Sequence, residues 1–190
     1  MGHEEHAEHA EHAAHEGNKP AALLIAVLAA ALAICEQQAK RSEITVENNA
    51  VLAADTWNEY QAKSVRSAMA QDLERVAGTL DIPADPARAT LREDTLKKLR
   101  EDREHYDKDP KTGKDALSER AKSYEEIRDH QLERAHTYDN AAAALELGIV
   151  LSTASVITSA RALLIFAALL GAAGIVLGFF GWLAPEAVVF

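Results

Sequence analysis

Hydrophobic and polar positions divide this chain into sharply different stretches. Residues 20–39 hold the apolar run PAALLIAVLAAALAIC, and residues 140–184 hold two more, NAAAALELGIVLSTASVITSA and ALLIFAALLGAAGIVLGFFGWL, which meet at Arg161. Residues 40–139 between them are crowded with acids and bases. A helix rises ~1.5 Å per residue, so a run of roughly 20 apolar residues crosses a ~30 Å hydrocarbon core. The pattern predicts an all-α membrane protein with three transmembrane helices and a long helical, coiled-coil-like extramembrane insert between the first and second. In order, the expected parts are a polar N-terminal segment (1–19), a first transmembrane helix (20–39), a helical stalk domain (40–139), a transmembrane hairpin (140–184) and a short tail (185–190). Pro20 to Cys35 is only 16 residues and rich in alanine, so it also fits a buried amphipathic helix; continuation through Gln37 to Ala39 favours a span.

No Pro or Gly occurs from Ala21 to Ala77, which predicts a helix leaving the first span unbroken. Its apolar stripe reads Ile44, Val51, Trp57, Tyr60, Val65, Met69, Leu73, Val76 and Leu80. Gly78, Pro83 and Pro86 then interrupt it, and Asp85-Pro86 has the form of a helix start. A second helix covers about Ala87 to Asp107 with Leu91, Leu96, Leu99 and Tyr106, and Pro110 and Gly113 mark a turn. From Asp115 a third helix carries Leu117, Ala121, Tyr124, Ile127 or Arg128, Leu132, Ala135 and Tyr138, with no breaker before Ala141.

Small residues recur within the spans. Ala144, Gly148, Ser152, Ser155 and Ser159 form one seam, and Ala167, Gly171, Gly174, Gly178 and Gly181 another. Ala22, Ala26, Ala29 and Ala33 make a third on the first span. In lipid, helices associate by close packing, so such seams are expected to face each other or a neighbouring subunit. Glu146 lies on the opposite face from the second-span seam, roughly 8 Å along the helix from Ala141. Thr153 shares its face. A carboxylate at membrane depth is costly, so this polar pair is expected at a contact between helices or at a proton or cation site. Phe179, Phe180 and Trp182 mark the membrane interface at the end of the last run.

The net charge of −10 argues against a nucleic-acid partner and against anionic lipid except at basic spots. Cys35 is the single cysteine, which excludes an intrachain disulfide; it suits a small boundary residue, with acylation or an intermolecular bridge as alternatives. The acidic N-terminus does not match a secretory signal. His3, His6, His9, His12 and His15 recur every third residue and so spiral around a helix. They suit a pH-sensitive solvated segment or a loose Zn²⁺, Ni²⁺ or Cu²⁺ site. No other cofactor is expected. Asp107, Asp109 and Asp115 do not match a calcium loop, and His105, His130 and His136 sit on charged faces. Arg161 in a short loop favours the cytoplasmic side, which places the stalk in the periplasm; Lys40 and Arg41 pull the other way.

Three stretches, EHAAHEGNKPAALLIAVLAAALAICE, DTWNEYQAKSVR and YDNAAAALELGIVLSTASVITSARALLIF, resemble an uncharacterised family of small bacterial membrane proteins known only as a domain of unknown function. The most specific piece runs from Trp57 through Gln61-Ala62-Lys63 to Arg66. The resemblance implies a three-span protein of the bacterial inner membrane with a helical insert, and brings no activity or catalytic residue. Its hairpin loop departs from the family in carrying Arg161 alone.

Without a paired nucleophile and base, a phosphate loop or a cysteine cluster, the expectation is a non-enzymatic membrane protein. Its expected partners are the lipid bilayer and either itself, as a homo-oligomer, or a larger membrane complex. It would serve as scaffold or accessory subunit. The alternatives are a channel- or transporter-like oligomer using Glu146, Ser152, Thr153 and Ser155, and a metal-responsive protein using the N-terminal histidines.

Overall fold

The computed structural model describes residues 19–81 and 84–183. These residues form four helices and no strand: α1 (Lys19–Thr79), α2 (Pro86–Lys108), α3 (Lys114–Thr158) and α4 (Arg161–Leu183). The five N-terminal histidines and the tail after Pro185 lie outside the described residues. Helices α1, α3 and α4 are long and apolar enough to cross a membrane. The chain divides into two compact units. One holds the residues up to Glu47 with those from Arg128; the other is Asn48–Ile127.

The first unit is a three-helix packing. The buried stripe of α1 is Ala21, Ile25, Leu28, Leu32, Cys35 and Ala39, in alternating steps of four and three. It meets Tyr138, Ala141, Leu145 and Ile149 of α3. The alanine seam expected on α1 is not the contact face: Ala26 is exposed, and Ala22, Ala29 and Ala33 are half-buried at its side. The reason is complementarity. Glycine faces on α3 and α4 leave grooves, and a groove is filled by a large side chain, not by another small one.

Leu28 supplies it. A Cβ added to Gly148 would lie 2.9 Å from Leu28 Cδ1 and 3.2 Å from the Ala167 carbonyl oxygen. One added to Gly171 would overlap the end of the same leucine. Gly174 instead lies under Leu145, with the Ala141 carbonyl oxygen 3.0 Å from where its Cβ would be. The α4 seam thus serves both neighbours. In lipid the gain comes from dispersion contacts between fitted surfaces, so closeness of fit decides stability.

Ser159 and Ala160 connect α3 to α4. The expected seam residue Ser159 is therefore not on a helix face; it is exposed in the turn with φ 55°, a left-handed conformation that reverses the chain. Ser155 closes the turn, its hydroxyl donating to the Ala160 carbonyl at 3.1 Å. The Leu163 N–H donates to the same oxygen at 3.1 Å.

In the second unit, Asp85 caps α2 by accepting from the Ala87 N–H at 3.1 Å, with Pro86 in the first turn. The next turn is organised by Asp109, whose carboxylate accepts from the N–H groups of Lys111 and Thr112 at 2.9 and 2.7 Å. Gly113 is required there, since a Cβ would fall 2.5 Å from the Asp109 nitrogen. The inner stripe of α1 in this unit is small or polar: Asn49, Ala53, Thr56, Ser67 and Ala70 are buried. The large apolar residues lie on the opposite face. Val51, Val65, Met69, Leu73 and Val76 are all exposed. In the first unit Leu132 of α3 is likewise exposed.

Replacing Gly148 by valine should destabilise the protein by about 1–3 kcal/mol, because the Ala167 backbone cannot yield. Leu28→Ala should relieve part of the loss in Gly148→Ala, with a coupling of about 0.5–3 kcal/mol. A double-mutant cycle by unfolding in mixed micelles checks this; strict additivity would show that the two residues do not pack together.

Candidate functional site

Two surfaces stand out, one in each unit. In the first, Glu146 is exposed on α3 and no hydrogen bond or ion pair reaches it among the described residues. Its depth follows from the packing of α4. The last turn of α4 lies against α3 at Tyr138, 3.2 Å from where a Gly181 Cβ would be. Arg134 ties the same place, its Nε donating to the Gly181 carbonyl at 3.2 Å. Glu146 is eight residues beyond Tyr138, about 12 Å along the axis.

The hydroxyls near it have other duties. Thr153 donates to the Ile149 carbonyl of its own helix at 3.0 Å. Ser155 holds the turn, and Ser152 is fully buried between helices. Glu146 and Thr153 share a helix face, but no bond joins them among the described residues. Of the named packing residues, Gly148, Ser152, Ser155, Gly171, Gly174 and Gly181 are buried. Gly178 is half-buried, 3.0 Å from the Cys35 sulfur at its would-be Cβ.

In the second unit the exposed face of α1 is the candidate. Val65, Met69, Leu73 and Val76 follow one another at steps of four, four and three, so they form a continuous apolar strip over three turns. Val51 lies on the same line two heptads before Val65. A strip of this kind in a polar segment marks an interaction surface.

Behind it the unit is held by polar contacts. Trp57 donates from Nε1 to Glu125 at 2.9 Å and packs edge-on against Tyr60, with ring centroids 5.4 Å apart. This gives the WNEYQAK stretch a structural role: it joins α1 to α3. Glu74 accepts from Arg100 and Arg103 of α2 at 2.5 and 3.2 Å. Arg92 donates to the Ala77 and Leu80 carbonyls at the end of α1. Asp107 pairs with Lys114 at 2.8 Å. No spacing in the sequence announces these partners, because they join separate helices.

These contacts shift the acids. The hydrogen bond from Arg100, helped by the charges of Arg100 and Arg103, holds Glu74 below the usual carboxylate range. Burial pushes Asp107 up, but hydrogen bonds from Lys114 and Ser67 and the charges of Lys114 and Arg103 outweigh it. Asp109 is lowered furthest, to about 2, by the Thr112 and Lys111 N–H groups and the Thr112 hydroxyl. His105, His130 and His136 are exposed. Among the described residues no group of three or more His, Cys, Asp or Glu is gathered as a metal would require.

Comparison with known proteins gives one match. The family model described as a domain of unknown function (DUF4337) covers residues 17–184. No curated protein matches, and no solved structure does.

All three carboxyls are depressed in the folded state, so their stabilisation is present above the unfolded value near ~4 and lost as pH falls below it. For Asp109 the loss should run from about pH 4 down to about 2. Hydrogen exchange of the amides of Lys111 and Thr112 should rise above the intrinsic acid trend across that window. Asp109→Asn should already show the faster exchange at neutral pH and no such transition; an unchanged profile would rule the turn out as its cause.

Proposed function

The chain belongs to the DUF4337 family, a domain family of unknown function, and we propose that it is a non-enzymatic oligomeric scaffold or accessory subunit of a membrane. The observation that carries this is the outer face of α1 in the second unit. Val65, Met69, Leu73 and Val76 are each more than half exposed, while the face turned inward is alanine, serine and threonine. A segment that spends its large apolar residues on the outside gains most by covering them with another protein. Within the membrane, close glycine packing gives each chain a defined shape to assemble from.

In this reading residues 20–39 and the hairpin 140–184 span a bacterial inner membrane. Residues 40–139 form the extramembrane stalk on the periplasmic side, with Arg161 in the cytoplasm. The alternating steps of four and three in the buried stripe of α1 support a coiled-coil-like pairing in the stalk. A second reading rests on Glu146. An exposed acid at membrane depth favours cover by a neighbouring subunit, as in a channel- or transporter-like oligomer. The scaffold reading is preferred because Thr153 and Ser155 have backbone partners and Ser152 is sealed in packing, so none of them lines a path with Glu146.

Mass measurement in nanodiscs should give an oligomer, and Met69→Glu with Leu73→Glu should shift it to smaller species; a strict monomer in the wild type defeats the proposal. Liposome ion flux that is lost in Glu146→Gln would move the balance to the channel. Topology is read separately. In a Cys35→Ser background, Lys98→Cys should react with a membrane-impermeant maleimide on spheroplasts, and Arg161→Cys should not; the reverse pattern inverts the orientation.

A further inference from the structure

The first unit contains an open groove of about 280 Å³ between α1 and α4, at the end where α4 reaches its aromatic residues. Its walls include Ala31 and Ile34 on one side and Phe179 and Trp182 on the other, with Gln38 and Tyr138 at its polar end. Phe179 and Trp182 stand together with ring centroids 5.9 Å apart. Aromatic residues of this kind mark the headgroup level of a bilayer. The groove therefore runs from apolar depth to the interface, in the direction of a lipid tail.

Its mouth is basic. Ile34, Gln38 and Arg41 succeed one another at steps of four and three, so Arg41 continues the groove face one turn beyond Gln38. Arg41 is exposed and its guanidinium makes no ion pair among the described residues. The neighbouring Lys40 is paired with Glu43 at 3.3 Å and is not available in the same way. On α3, Arg134 lies one turn before Tyr138 and spends one donor on the Gly181 carbonyl, which leaves others for a ligand. Arg41 on α1 and Arg134 on α3 thus each lie about one helical turn beyond a residue that lines the slot, Gln38 and Tyr138, on a chain whose net charge is −10.

We propose that this groove holds one acyl chain of an anionic phospholipid, with the phosphate headgroup at Arg41 and Arg134. The slot selects a tail, and the guanidiniums select a phosphate-bearing headgroup with net negative charge; a zwitterionic lipid offers the same tail and loses that selection. The site extends beyond the scaffold reading and depends only on the first unit lying in a bilayer.

The test uses the full chain in nanodiscs containing equal phosphatidylglycerol and phosphatidylcholine with matched tails. Native mass spectrometry reads the lipid that stays bound. Wild type should retain phosphatidylglycerol over phosphatidylcholine by about thirtyfold, about fivefold for each of the two guanidiniums. Arg41→Gln should lower the ratio to about fivefold, and Arg41→Gln with Arg134→Gln should bring it close to unity. Ala31→Phe, which fills the slot, should lose both lipids, and added inorganic phosphate should not displace the lipid from wild type. Equal retention by wild type overturns the proposal. So does a preference that is undiminished in Arg41→Gln or that survives Ala31→Phe. Failure of the chain to enter nanodiscs would instead count against the membrane reading.

Discussion

Leu28 occupies the hole left where Gly148 and Gly171 bring α3 and α4 together, and the first unit depends on that fit. The two glycines let the helix backbones approach closely enough for Gly148 to lie near the Gly171 nitrogen, 3.5 Å from where its Cβ would be. Without a large side chain entering from α1, such a meeting would leave a void, and a void in lipid forfeits dispersion contacts that nothing else restores. Around it the same logic repeats with other partners: Gly174 under Leu145, Gly178 against Cys35 and Gly181 against Tyr138. The turn at Ser159 and the tie from Arg134 to Gly181 hold the two ends of α4 in this register.

The second unit rests on different physics. Among its described residues there is no cluster of large buried apolar side chains; its inner positions are Ala53, Ala70, Thr56 and Ser67, with Leu117 and Ala121 of α3 also buried. Its specific contacts are charge-assisted: Trp57 to Glu125, Glu74 to Arg100 and Arg103, Asp107 to Lys114. Such partly exposed contacts each stabilise modestly in water.

Much of the local structure was legible. Pro20 at the helix start, Asp85-Pro86 at the cap and Gly113 in the turn act through backbone chemistry that needs no distant partner. The glycine seam of α4 was legible too, because repeated glycine in an apolar run has few other uses. The alanines of α1 misled for a related reason. A small residue in a span can be a seam or filler, and only the neighbour's shape distinguishes the two. The spacing from Val51 to Val76 left the orientation of that stripe open. Periodicity shows that residues share a face, not whether the face turns inward.

Composition and pattern by themselves determined the helices, their breaks, the runs long enough for a membrane and the glycine faces. These follow from hydrophobicity, backbone freedom and the 3.6-residue turn, all local properties. Tertiary structure alone decided which face of α1 is buried, that Leu28 is the residue the glycines accommodate, and that Arg100 and Arg103 meet Glu74. Each of these is a relation between helices distant in sequence. It depends on the complementarity of two surfaces, which no single run of residues contains.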